Sequence, residues 1–169
     1  MALVRPKNIP TANLDGTISS SNLPAASVLK TDSYAINSGS PNIQSDSYVS
    51  VATFTYTPVA IGSKIIVVHR YRTWWGITTD GGSNDVHTRY VIAGTVVHEN
   101  PRMFGNVSLD KRYTHHNITE TFQITSSSTN QISIDFQAQV PVNMGSVMNF
   151  WHAHGEGGQS IVMYFTEYK

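Results

Sequence analysis

The stretch QISIDFQAQV, residues 131–140, has the clearest strand pattern of this chain. Its apolar residues fall on one parity and its polar residues fall on the other. The apolar row consists of Ile132, Ile134, Phe136 and Ala138. A period of two places such a row on one face of a β-strand, with the polar row on the opposite face. The stretch therefore predicts a strand that is buried on one side and exposed on the other.

The chain continues in the same manner on both sides of this stretch, with short strand-like runs separated by turn residues. The predicted strands are residues 33–37, 48–57, 64–75, 87–98, 113–125, 131–140, 146–154 and 160–168. No segment has the apolar period of a helix of three turns. Eight short strands predict an all-β fold, either a sandwich or a barrel.

The composition limits the classes of function. A chain of 169 residues forms one domain of ordinary size. Its 11 basic and 11 acidic residues give no net charge, whereas a nucleic-acid-binding protein normally carries a basic excess. No apolar run approaches the roughly 20 residues that span a bilayer. We therefore expect neither nucleic-acid binding nor membrane insertion, and the absence of cysteine excludes disulfides and thiolate metal sites.

The first thirty residues differ from the rest because prolines and polar runs interrupt any strand pattern. Apolar side chains nevertheless recur along this segment more often than in a solvated linker. The sequence predicts an extended N-terminal arm over residues 1–30, which docks on a neighbouring subunit, followed by a β-domain over residues 31–169. The predicted anchoring residues are Leu3, Val4, Ile9, Leu14, Ile18 and Leu23. A disordered tail is the alternative.

Three segments resemble one family, the β-sandwich domain proteins of bacteriophage tail fibres and virion surfaces. They are NLPAASVL at residues 22–29, the run with GSKIIV at residues 53–68, and SIVMYFTE at residues 160–167. The resemblance implies a jelly-roll-like antiparallel β-sandwich, usually a homotrimer, on the virion surface. It also implies assembly in the host cytoplasm and contact with other phage proteins, either of the tail or the major capsid protein.

The run HRYRTWW, residues 69–75, combines aromatic and cationic side chains. Tyrosine, tryptophan and arginine are enriched where proteins meet partners, and exposed indole rings stack on sugars. The candidate contact residues are Arg70, Tyr71, Arg72, Trp74 and Trp75. The equal alternative is that alternate residues fill the core while Arg70 and Arg72 face solvent.

The pair His152 and His154 is the candidate metal site. Residues two apart project from one face of a strand, so three such pairs around a trimer axis would supply six imidazole nitrogens to one transition metal. The alternative is a pair of histidines at a strand end, exposed or hydrogen-bonded. No other cofactor is expected, and no Gly-x-Ser-x-Gly or His-Glu-x-x-His pattern points to an enzyme.

These features predict a non-enzymatic virion structural protein, a homotrimeric short tail fibre or appendage that contacts a host receptor. A capsid decoration protein that stabilises the phage head is the first alternative. The second alternative is a carbohydrate-binding module that recognises a host surface glycan through Tyr71, Trp74 and Trp75.

Overall fold

The computed structural model describes residues 23–36, 42–77, 86–101, 114–140, 146–151 and 161–169. These residues form ten β-strands in two antiparallel sheets, which pack as a sandwich of the jelly-roll-like kind. The strands are β1 (Val28–Ile36), β2 (Asn42–Ile43), β3 (Ser45–Tyr56), β4 (Lys64–Ile77), β5 (His87–Ile92), β6 (Thr95–Asn100), β7 (Thr114–Thr125), β8 (Ile132–Val140), β9 (Ser146–Trp151) and β10 (Ile161–Tyr168). The predicted all-β sandwich is therefore confirmed.

Strand β4 is the centre of the first sheet. On one side it pairs with β7 over residues 64–75. On its other side it pairs first with β10 over residues 64–70 and then with β9 over residues 72–77. The edge strand β1 lies beyond β10, and β2 lies beyond β9. The second sheet has the order β3-β8-β5-β6.

The core lies between the two sheets and is formed by alternate residues of their strands. In β8 the buried residues are Ile134, Phe136, Ala138 and Val140, while the residues between them are exposed or half-buried. From the opposite sheet, Ile65 and Val67 of β4 and Phe165 of β10 pack against this row. The period of two in residues 131–140 thus corresponds to the two faces of β8, as predicted.

One predicted strand is wrong. Residues 87–98 form two strands, β5 and β6, which pair as a hairpin. Ala93 and Gly94 make the turn, and their φ angles are 48° and 81°. Two positive φ angles define the type I′ turn, which normally carries Asn-Gly or Asp-Gly. Because alanine rarely adopts a positive φ, residues 93 and 94 carry no recognisable turn signal in the sequence.

The first strand begins earlier than the predicted strand at residues 33–37. Strand β1 begins at Val28, and the residues before it are tied to Lys169. The amide of Ala26 donates to the Lys169 carbonyl at 3.2 Å, and the Lys169 amide donates to the Ser27 carbonyl at 3.0 Å. The Lys169 ammonium group donates to the carbonyl of Leu23. Residues 23–30 are therefore bonded to the sandwich, while residues 1–22 of the predicted arm lie outside the described residues.

The carboxylate of Glu167 fixes the loop between β3 and β4. It is fully buried and accepts hydrogen bonds from the Tyr56 hydroxyl at 2.8 Å and from the Ser63 hydroxyl. The amides of Val59 and Ala60 donate to it as well, at 3.0–3.1 Å. Burial by itself would raise the pKa of Glu167, but these hydrogen bonds together hold that pKa below its ordinary value.

Substitution of Glu167 tests this arrangement. In Glu167→Gln the new amide group would face hydroxyl and amide donors, so at least one donor would lose its acceptor. We expect the free energy of unfolding to fall by about 3 kcal/mol. Urea denaturation followed by circular dichroism measures it. Glu99→Gln is the matched control, because the exposed Glu99 accepts one tyrosine hydroxyl and its loss should cost less than about 1 kcal/mol. Equal losses in both variants would contradict this role of Glu167.

Candidate contact surface

The predicted contact residues lie in the middle of β4, where successive side chains alternate between the two faces of the sheet. His69, Tyr71 and Thr73 point into the core, and their exposed fractions are at most 3%. Arg70 is exposed and Arg72 is half-buried. Tyr71 is therefore not part of a contact surface, because a side chain inside the sandwich cannot meet a partner. The buried position of Tyr71 therefore differs from the exposed position that its predicted contact role requires.

The backbone of Trp74 and Trp75 continues β4. Trp74 pairs with His115 of β7 and with Asn149 of β9, so the strand has neighbours on both sides here. The side chains of both tryptophans lie outside the part of the chain that the structure describes. Their contact role stays a prediction.

The outward side chains of β1, β10, β4 and β7 form a continuous surface, which we name the outer face of the first sheet. Cross-strand register places these residues side by side in rows. The rows consist of Ala35, Val162, Arg70 and Thr119; of Ser33, Tyr164, Val68 and Thr121; of Thr31, Thr166, Ile66 and Gln123; and of Tyr168, Lys64 and Thr125. The surface is rich in hydroxyl groups and poor in charge.

The outer face of the first sheet carries cations in its rows, while the exposed Asp32 of β1, which lies between two of these rows, pairs with Lys30 at 3.2 Å. Its rows contain the cations Lys64 and Arg70, and no acidic residue belongs to those rows. The Arg70 guanidinium lies 5.5 Å from the ring centroid of Tyr164, and Tyr164 is 40% exposed. Tyr164 is not among the predicted contact residues, although the alternation in residues 160–168 places it on the face opposite the buried Met163 and Phe165.

The outer face of the second sheet is organised differently, because neutral tyrosine and glutamine side chains hold its charged groups. The Arg89 guanidinium lies 3.9 Å from the ring centroid of Tyr48, whose hydroxyl donates to Glu99 at 2.6 Å. The Arg89 Nε donates to Gln137 at 2.7 Å, and the Gln137 amide donates to Asp135 at 2.6 Å. This network crosses all four strands and links both signs of charge.

Tyr71 belongs to a buried polar cluster. Its hydroxyl donates to the carboxylate of Glu120, which is 5% exposed. The Thr88 hydroxyl donates to the same carboxylate at 3.1 Å, and the imidazole of His98 lies 3.7 Å from its other oxygen. Burial, and then the charge of Glu120, raise the pKa of Tyr71 well above its usual value. The hydroxyl therefore stays protonated and serves as a donor.

His69 lies beside this cluster in an aromatic cage. The ring centroids of Tyr71 and Phe136 are 4.7 Å from that of His69, and the ring of Phe54 is 5.0 Å away. The His69 Nδ1 and the Tyr90 hydroxyl are 2.7 Å apart and share a hydrogen bond. Burial lowers the pKa of His69 to about 3, because the cage offers no charge to stabilise an imidazolium. His69 is neutral at physiological pH.

The buried His69 predicts an acid-dependent loss of stability. Its pKa is about 3 in the folded state and about 6.5 in an unfolded chain, so the unfolded state takes up a proton first as the pH falls. Between pH 6.5 and 4.5, this residue alone should lower the free energy of unfolding by about 1.4 kcal/mol per pH unit. His69→Gln should remove that part of the slope in urea titrations at several pH values.

His87→Gln is the matched control, because His87 lies half-buried on the outer face of the second sheet. We expect it to keep the slope of the unsubstituted protein. Below pH 4.5 protonation of Glu167 acts in the same direction, since its pKa is lower in the folded state. An unchanged slope in His69→Gln would show that other groups cause the acid sensitivity.

His152 and His154, the candidate metal ligands, lie outside the described residues. Within the described part of the chain, no group of three or more histidine, cysteine, aspartate or glutamate side chains is arranged to hold a metal ion. The described residues also include no helix long and apolar enough to cross a membrane.

Of the predicted anchoring residues, Leu3, Val4, Ile9, Leu14 and Ile18 also lie outside the described residues. Leu23 is half-buried beside Lys169.

Comparison with known proteins gives weak likenesses. No family model and no curated protein matches the chain. Among solved structures, the D431N mutant VP2 protein of infectious bursal disease virus is 15% identical over 85% of this chain, with a TM-score of 0.42. Latent PorU from Porphyromonas gingivalis is 11% identical over 90% of this chain, with a TM-score of 0.41. The chain spans 37% and 14% of those proteins. At such scores neither likeness carries an argument about function, which must be inferred from the residues of this chain.

Proposed function

We propose that this chain is a non-enzymatic structural protein of a bacteriophage virion, a homotrimeric short tail appendage anchored through its N-terminal segment. The resemblance of three sequence segments to phage virion domains suggests the class. The observation that carries the proposal is the junction at residues 23–27, which attaches to Lys169 and leads directly into the edge strand β1.

This junction suits an anchored domain. Strand β1 pairs with β10 from Val28 opposite Tyr168 to Ile36 opposite Ile161. A pull along β1 from an anchored N-terminal segment would therefore load the hydrogen bonds of this ladder together, in shear, rather than one after another. A sandwich held in this way stays folded while its far end meets a target.

The buried acidic residues support a structural role. Glu167 accepts its hydrogen bonds from Tyr56, Ser63 and two loop amides, and Glu120 accepts from Tyr71 and Thr88. Both carboxylates lie inside the sandwich and bind donors of their own chain. A carboxylate used in this way stabilises a fold and does not meet a substrate.

Imaging of phage particles that carry the protein tests the proposal. Electron microscopy with a label on this chain should show a small multiple of three copies at the tail. Deletion of residues 2–22 should abolish incorporation while the remaining chain still unfolds cooperatively, because residues 23–30 and their partners are retained. The control is a chain that bears the label but no deletion.

Two results would contradict this assignment. Tens to hundreds of labelled copies over the head would make the protein a capsid decoration, which a short chain with an anchoring segment also suits. Normal incorporation of the deleted chain would refute anchoring through residues 1–22.

The trimer is tested separately. A homotrimer closes a heterologous contact between identical chains, and a surface with few charges tolerates burial at such a contact. Light scattering of the full chain at micromolar concentration should report about three times the mass of one chain. A monodisperse monomer in solution and on the particle would refute the trimer.

A further inference from the structure

We propose that the outer face of the first sheet binds an anionic saccharide, with Arg70 and Tyr164 at the centre of the site. The proposal rests on the proposed function, since it names the class of ligand for the contact surface of the appendage. The proposed site is formed by four strands and not by the run of residues 69–75 alone. It does not include Tyr71, which is buried.

Charge is the first argument. Arg70 and Lys64 are exposed cations, and the described rows of this face contain no acidic residue that would neutralise them. A surface with charges of one sign attracts ligands of the other sign. A guanidinium group binds a carboxylate or a phosphate through two parallel hydrogen bonds, so Arg70 would orient the anionic group of a sugar.

The aromatic ring of Tyr164 is the second argument. Tyr164 is 40% exposed on a strand whose alternate residues Met163 and Phe165 are buried. An aromatic ring combines an apolar surface with a polar hydroxyl, and a sugar ring likewise has apolar C–H faces and polar edges. The distance of 5.5 Å between the Arg70 guanidinium and the Tyr164 ring places the cation and the stacking surface within one sugar of each other.

Neutral hydroxyl groups border this pair, together with Val68 and Val162. Ser33 lies beside Tyr164 in one row, Thr121 lies at the other end of that row, and Thr119 lies beside Arg70. Each hydroxyl both donates and accepts, as sugar hydroxyls do. Four strands about 4.8 Å apart give a row roughly 14 Å wide, which accommodates a short oligosaccharide.

Other anionic partners fit this surface less well. A nucleic acid presents closely spaced phosphates, whereas six residues of extended strand place Lys64 roughly 20 Å from Arg70. In a second copy of this chain, the acidic groups on the outer face of the second sheet are already bonded. Glu99 accepts from Tyr48, and Asp135 accepts from Ser50 and Gln137.

The test uses the full chain and a defined probe. An oligomer of about six galacturonic acid units carries one carboxylate per sugar, and its fully methyl-esterified form has the same backbone without the charge. In isothermal titration calorimetry at low salt, we expect the acid form to bind about tenfold or more tightly than the ester form. Added salt should weaken the binding of the acid form.

Substitutions locate the site. Arg70→Gln removes the cation and Tyr164→Ala removes the ring, so each should weaken binding of the acid oligomer about tenfold. Arg89→Gln is the matched control, because it removes an arginine from the outer face of the opposite sheet and should change affinity less than about twofold. Thermal melting shows whether each variant is folded, and the comparison of the acid with the ester form needs no variant at all.

Several outcomes would overturn the proposal. They are no binding of the acid oligomer, equal binding of the two oligomers, or equal loss in Arg70→Gln and Arg89→Gln. Binding of a polyglutamate peptide as tightly as the acid oligomer would show attraction by charge alone. A lower oligomer mass in Arg70→Gln would assign the face to a second copy. None of these results depends on where the protein lies on a particle. If the saccharide proposal fails, the appendage proposal is unaffected. Imaging can refute the appendage proposal independently.

Discussion

The pairing of β4 with three other strands is the constraint on which the first sheet depends. Strand β7 follows it along one edge, while β10 and β9 share the other edge in succession. The same fourteen residues thus hold together segments that are far apart in the chain. Because its register is fixed on both edges, β4 cannot slip by one residue without turning His69 and Tyr71 outward and Arg70 inward.

The core of the sandwich contains buried polar side chains as well as apolar ones. Glu167 of the last strand accepts hydrogen bonds from the loop after β3. Glu120 accepts hydrogen bonds from the hydroxyls of Tyr71 and Thr88, which belong to different sheets. Such networks specify one arrangement of the layers, because a shifted packing would leave a buried carboxylate without donors. The neutral His69 adds to this specificity, and it also links the fold to pH, since unfolding exposes an imidazole that accepts a proton.

The two outer faces of the sandwich are chemically distinct. On the second sheet, Arg89 and the acidic groups Glu99 and Asp135 are each held by neutral tyrosine or glutamine side chains. On the first sheet, Arg70 stands beside an exposed ring among threonines, with no acidic residue in the described rows. Arg89 must release its hydrogen bond to Gln137 before it can bind a ligand, whereas the Arg70 guanidinium forms no hydrogen bond or ion pair with the described residues. This difference is why the contact surface is assigned to the first sheet.

The sequence predicts the fold class and most of the strands, because alternation in segments such as residues 131–140 is a local property that the folded chain retains. It did not determine the hairpin at Ala93 and Gly94, since alanine in a left-handed turn gives no sequence signal. Nor did it determine that β1 begins at Val28, which follows from pairing with residues more than a hundred positions away. For the same reason, the buried position of Tyr71 and the contact between Arg70 and Tyr164 follow from the packing of strands that are distant in the sequence. Which face of a strand is covered depends on the layer that packs against it, and this information is distributed over the whole chain.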